Sequence, residues 1–333
     1  MPSYPNDNLT QARPDLQMVA MSQDLLAARQ GFIGAQMVPD LQVETLMGKY
    51  PYVDNATWLK DPFEEIAPMG ALPRYKIDFG EKTFQVGYHG FEMPINRELA
   101  VMYKDWLALE KYTAEAARTM AAYHREAHAV SLFNNDSCYG TSTAVDVQWT
   151  NHASAKPLTD LQGLIEAVGE KCGADPTTIV MSKTTFDNMV DCEEVVDRIK
   201  IATAGSGRIE KPTAQNIADF LGVKRILVGG TRVLVQNGAT RTFPRLWTNS
   251  RVAAFVALES KEQATLPHWA SHVVFKPDVN VDYGQTPIGS IDNCEFYSYG
   301  EPQTRSGIIQ CIEYSQFIVA DINCAGKLTN ICS

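Results

Sequence analysis

At 333 residues with 45% apolar side chains, the chain can bury a core and build two or three domains. Its net charge of −10 argues against a dedicated nucleic-acid binder, although enclosing nucleic acid without gripping it stays allowed. No apolar run nears the roughly 20 residues of a membrane span, and the polar start MPSYPNDNLTQARPDLQ lacks a signal-peptide pattern, so residence in a cytosol is expected.

The first 50 residues read as an extended arm that packs on something else. A short helix over 14–29 has polar flanks, and LQVETLMGKYPYV is strand-like, with Gly48 and Pro51 as breakers. Residues 58–92 predict a projecting hairpin. Tyr75-Lys76-Ile77-Asp78-Phe79 alternates apolar and polar, Gly80-Glu81-Lys82 can turn, and Thr83-Phe84-Gln85-Val86-Gly87-Tyr88 alternates back. A lone two-stranded hairpin is marginal in water and its edges invite pairing, so a neighbouring copy is expected to cover it.

Residues 96–133 contain no Pro and no Gly and place apolar residues at helical spacing, among them Leu99, Met102, Trp106, Leu109, Met120 and Val130. Asn96 predicts an N-cap and Glu98 suits the positive helix end. One unbroken helix here would be roughly 55 Å long, a beam carrying elements at both ends. Thr143 to Trp149 is a strand candidate. From Leu158 helices and strands alternate. Thr159 predicts a helix cap, and Gly173 and Pro176 a stop. Ser182 and Thr213 predict further caps and Gly222 another stop. Strands are expected at 178–181, 225–228 and 232–235, and Asn237-Gly238 is a turn signal. That block predicts a compact α/β lobe. Residues 246–333 are mostly strand, with 252–256, 294–299, 308–314 and 317–320 as the runs. There is no internal repeat.

The seven cysteines, Cys138, Cys172, Cys192, Cys294, Cys311, Cys324 and Cys332, form no C-x-x-C pair. Wide spacing and an odd count predict reduced, buried thiols and no zinc ribbon. His124 and His128 share one helix face, as zinc ligands can, but the run is H-R-E-A-H and no third ligand is indicated. A polar or interface-facing surface is the expectation there. Gly205-Ser206-Gly207-Arg208 lacks phosphate-loop spacing, and Val228-Gly229-Gly230-Thr231 falls short of G-x-G-x-x-G. The pairs Glu64-Glu65 and Glu193-Glu194 read as solvated faces. No catalytic residue, cofactor site or metal site is assigned, and no G-x-S-x-G elbow exists.

The order arm, hairpin, very long helix, α/β lobe and antiparallel strands resembles the tailed-phage major capsid proteins of the Hong Kong 97 fold. GFIGAQMVPDLQVETLMGKYPYV (31–53), TAQNIADFLGVKRILVGGTRV (213–233) and LWTNSRVAAFVA (246–257) carry the resemblance, which covers nearly the whole chain. It implies an α+β capsid fold. Its parts would be an N-terminal arm (1–55), an extended hairpin loop (56–94) and the spine helix of a peripheral domain (95–154). An axial domain (155–250) and further peripheral strands (251–333) would follow, the last residues returning to the axial domain. Residues 202–208 would be an axial loop.

The implied partners are copies of the chain as hexamers and pentamers, a scaffold protein, a portal and a decoration protein. The shell would enclose double-stranded DNA without sequence-specific binding, with no membrane involved. The arm begins almost at Met1, so the expectation is a separate scaffold, or a leading segment already removed. Some members crosslink a loop lysine to a neighbour's asparagine. Lys76 and Lys82 are available, but no acidic catalyst or partner asparagine can be assigned. Two rivals follow from the same residues: a cellular nanocompartment shell of this fold, and a cytosolic enzyme with an α/β domain at 155–250. A shell protein gives particles of megadaltons, and an enzyme gives a small closed oligomer.

Overall fold

The computed structural model describes residues 31–53, 80–102, 109–202, 212–237, 240–259, 266–276, 286–291 and 293–332, with single positions between 59 and 76. Two mixed sheets organise the α+β fold. The first has six strands. Its centre is β14 (Ser306–Val319), whose 14 residues alternate in burial along much of their length. Residues 306–312 of β14 pair with both β4 (Gly87–Asn96) and β13 (Cys294–Glu301), so those two strands flank it. Ser315 pairs with Gly87 and also with Val274 of β11 (Ala270–Phe275), which places β11 opposite β4. β1 (Asp40–Val43) extends β11 in parallel, and β12 (Thr286–Ile291) extends β13.

The long helix lies across this sheet. β4 ends at Asn96, whose side chain accepts from Glu98 N at 2.7 Å, as the predicted cap requires. α2 (Arg97–Met102) follows directly. Residues 103–108 lie outside the described residues, and α3 (Leu109–Asn134) then runs for 26 residues, about 39 Å. Ala114, Ala117 and Ala121 face Ile95, Phe296, Ile309 and Cys311. Small residues at that spacing let helix and sheet approach closely.

The second sheet has the order β5 (Thr141–Ala144), β15 (Ala325–Thr329), β10 (Arg251–Phe255), β6 (Thr178–Ser182), β7 (Arg225–Gly229). Every residue of β6 is buried, as expected of a strand covered on both faces. α4 (Pro157–Cys172) crosses this sheet so closely that a Cβ at Gly326 would meet Val168 and Leu164 at 2.6 and 2.9 Å. α5 (Lys183–Asp191), α6 (Glu193–Ala202) and α7 (Ala214–Leu221) complete the lobe around a large core containing Trp149, Trp247, Phe255 and Trp269. Ser182 and Thr213 cap α5 and α7 through Thr185 N and Asn216 N. Gly173 and Gly222 close α4 and α7 in the left-handed region.

Five expectations need correction. Gly80-Glu81-Lys82 is not a turn. It lies in β3 (Gly80–Gln85), which pairs antiparallel with β2 (Met47–Tyr52), so the ribbon's partner strand is 47–52 rather than 75–79. Gly48 and Pro51 therefore sit inside a strand instead of breaking one. Gly48 makes room for the Phe84 ring, and Pro51 is tolerated because a two-stranded ribbon has free edges. Residues 31–43 of the arm pack on the chain's own body, α1 (Gly34–Met37) against α3 and β1 against β11. α4 starts at Pro157, so Thr159 is not its cap, and its hydroxyl donates to Glu194 instead. The run 251–255, expected in the peripheral sheet, belongs to the lobe sheet beside β6. β15 joins the same sheet, and residues 1–30 lie outside the described residues.

The cysteines also differ from expectation. Cys172, at the end of α4, is paired in a disulfide with Cys324 of a 3₁₀ turn, although 152 residues separate them. The other five are free and buried.

Candidate interaction surface

The short motifs that fall on described residues are engaged in packing and capping. Gly205 to Arg208 and Glu64 lie outside the described residues. In Val228-Gly229-Gly230-Thr231 the glycine serves packing, since a Cβ on Gly229 would penetrate the Trp247 ring at 2.4–2.6 Å. Glu194 is structural too. Its carboxylate accepts from Leu158 N and Thr159 Oγ1 and so caps α4 from α6. Lys82 lies over the Tyr52 ring at 5.1 Å. Among the described residues no His, Cys, Asp and Glu groups converge as metal ligands, and no helix is long and apolar enough to cross a membrane.

Two buried polar joints tie the parts together. Glu126 stands one turn before Ala129 and Val130 on the buried stripe of α3. Its carboxylate accepts from Ile33 N, Gly34 N, Thr231 Oγ1 and Trp247 Nε1 at 2.5–3.0 Å. One side chain thus joins the arm, the helix and the lobe. Burial pushes its carboxyl up, and the four donors offset that only partly.

The second joint is centred on Asp40. Its carboxylate takes Arg125 Nη2, His272 Nδ1 and Asn293 Nδ2 at 2.5–2.8 Å. Asn293 sits at φ 72, a left-handed position that asparagine tolerates, and this turn aims its amide at Asp40. His272 is fully buried, and its Nε2 lies 3.2 Å from Glu313 Oε1 without an aligned hydrogen bond. Burial alone would raise both carboxyls. His272 and Arg125 outweigh it and hold Asp40 and Glu313 below the usual range.

His124 and His128 do share a face, and β4 brings a third imidazole to them. Ring centroids are 4.4 Å apart for His124–His128, 5.4 Å for His89–His124 and 6.0 Å for His89–His128. His128 also stacks on Phe317. The rings border a cleft of about 320 Å³ that Gln85, Gly87, Arg125, Glu313 and Ser315 help to line. It lies where β4 and β14 meet α3.

The ribbon and the segment it carries expose large apolar side chains. Met47 is 66% exposed, Leu59 69%, Phe63 89%, Leu72 78% and Tyr75 60%. The hairpin of β8 (Val235–Asn237) and β9 (Thr240–Thr242) on the lobe adds Leu234 and Phe243. Isolated exposed apolar residues are ordinary, but several within one stretch of the chain mark a surface that another molecule covers.

No family model matches the chain. The major capsid protein of Burkholderia phage BcepMu is 22% identical over 245 residues, 72% of this chain and 76% of that one. The crystal structure of a phage-related protein from Bordetella bronchiseptica RB50 superposes with a TM-score of 0.67 at 16% identity, covering 97% of this chain and 98% of the other. The capsid structure of cyanophage P-SCSP1u gives 0.55 at 11%, covering 88% and 86%. Likeness over nearly the full length at such low identity establishes the fold.

Proposed function

We propose that this chain, which has the Hong Kong 97-type fold of the tailed-phage capsid proteins, is the major capsid protein of a tailed phage. Copies join as hexamers and pentamers into an icosahedral shell around double-stranded DNA. The shell is the protein's place in the virion, and it assembles in the bacterial cytoplasm with a scaffold protein, a portal and a decoration protein. The role is structural rather than enzymatic. The six-stranded sheet with α2 and α3 is the peripheral domain, the five-stranded sheet with α4 to α7 is the axial domain, and the ribbon is the extended loop.

The observation that carries this reading is the ribbon. A pair of strands with Met47 at 66% exposure, joined by a segment with Phe63 at 89%, is at rest only when a neighbour covers it. Many such contacts act together, so each can be weak. The net charge of −10 keeps free subunits off the genome before the shell closes.

The test is electron microscopy and sedimentation of the full chain expressed with its scaffold. Closed shells of megadaltons are expected. Shells that carry a protein cargo and no DNA would select the nanocompartment reading instead. A small closed oligomer would overturn the shell reading altogether.

A further inference from the structure

We propose that Cys172 and Cys324 form a redox lock across the seam of the two sheets, open as a dithiol while the chain folds in reducing surroundings and closed as a disulfide once it leaves them. The inference goes beyond the shell reading and rests on it only for the timing, since a phage shell is built in a reducing cytoplasm and later leaves it.

The place of the bond carries the proposal. After β14 the chain crosses from the six-stranded sheet to the five-stranded one, through the 3₁₀ turn Ile322–Cys324 and into β15. Cys324 ends that turn and Cys172 ends α4, so the bond ties the lobe helix to the crossover. The turn is a junction in its own right. Asp321 caps it through Asn323 N and takes the Tyr52 hydroxyl from the end of β2. Gly140 N donates to Ile322 O and Val256 N to Cys324 O. The ribbon root and both sheets therefore meet at the turn that the bond fixes.

Only the native fold brings these two sulfurs together. They are 152 residues apart, and the stretch between them holds β6 to β14. The thiols meet when the lobe and the six-stranded sheet are both in place, so the bond closes on a folded chain. Closing so long a loop removes much of the freedom of the unfolded chain, which is how the bond stabilises. The other five cysteines are buried and free.

Closing the lock takes two electrons and two protons from the two thiols, and a small-molecule disulfide accepts them and becomes two small thiols. One protein thiolate attacks the small disulfide and expels one small thiolate. The second protein thiolate then attacks the mixed disulfide and expels the other. Burial governs the reverse step. Cys172 is 5% exposed and Cys324 0%, so a reducing thiol has no path to either sulfur in the folded chain. The closed lock stays closed until the lobe opens.

The test uses the full, unassembled chain, refolded from urea in glutathione buffers of reducing or oxidising poise. Thiols counted in denaturant are expected to number seven in the reduced chain and five in the oxidised one, with peptide mapping placing the bond between Cys172 and Cys324. The unfolding constant from urea titration is expected to be lower in the oxidised chain by about 30-fold or more. In C324S the two buffers should give the same constant. Reductant added to the folded, oxidised chain should open the bond no faster than the chain unfolds. Seven thiols after oxidation, a bond between other cysteines, or equal constants in the two buffers overturn the lock. So does an undiminished buffer effect in C324S, or fast reduction of the folded chain. No shell is needed for any of these measurements, so their failure leaves the shell reading standing.

Discussion

Glu126 shows how much one side chain can hold. Four donors from three parts of the chain converge on it, and the site is closed to water. Glu126→Ala would leave Ile33 N, Gly34 N, Thr231 Oγ1 and Trp247 Nε1 without their acceptor. At about 1–3 kcal/mol for each stranded buried donor, with partial relaxation, a loss of about 3–5 kcal/mol is expected in urea unfolding. Glu126→Gln keeps one acceptor oxygen but turns an NH₂ toward donors, so an intermediate loss is expected. The pH dependence at Glu126 follows from its burial. A carboxyl raised by burial contributes most below its unfolded value of 4.5, and that contribution is lost as the pH rises through the folded value. Urea titrations of unmodified chain and Glu126→Gln at several pH values should therefore converge toward neutral pH. Divergence in that direction would mean that the four donors, rather than burial, set the carboxyl's protonation.

At the scale of elements, close approach decides the geometry. The ribbon exists because Gly48 lies under the Phe84 ring, where a Cβ would stand 2.9 Å from Cζ. Phe84 in turn packs with Leu41, Val86 and Val273 on the outer face of the six-stranded sheet. Gly48→Val must therefore displace Phe84 and loosen the ribbon root, at about 1–3 kcal/mol. The expected signature is local: faster exchange at 47–52 and 80–86, with the lobe sheet unaffected. The same reasoning applies to α3. Ala117 is fully buried between α3 and the sheet, so Ala117→Leu should cost about 1–3 kcal/mol by overpacking. A change at an exposed position of the same helix, such as Met120→Gln, should cost under about 0.5 kcal/mol. Equal effects at the two positions would mean that α3 does not lie on that sheet.

Across the whole molecule, local chemistry was legible and distant pairing was not. Asn96, Ser182 and Thr213 cap where a short polar side chain before a helical run says they should, and Gly173 and Gly222 stop their helices in the left-handed region. The strands at 178–181, 225–228 and 252–256 were readable from continuous apolar runs. The partner of β3 was not, because 47–52 and 75–79 both alternate and period-two patterning is blind to which strand comes alongside. The Cys172–Cys324 pair and the Asp40 joint escaped for the same reason. Glu126 did leave a signal, a carboxylate three, four and seven residues before Ala129, Val130 and Phe133. A charge on a buried stripe requires a partner set, even when the sequence cannot name it. Among the described residues, Leu59, Phe63, Leu72 and Tyr75 of the ribbon segment stay largely exposed. Phe63 and Leu72 are largely exposed, so F63S/L72S should leave the unfolding free energy from urea titration within about 0.5 kcal/mol of that of the unmodified chain. If neighbouring copies cover these residues, the same variant should fail to sediment as closed shells. Shells that form as readily as before would place the contact elsewhere, with the β8–β9 hairpin and its Leu234 and Phe243 as the next surface to change.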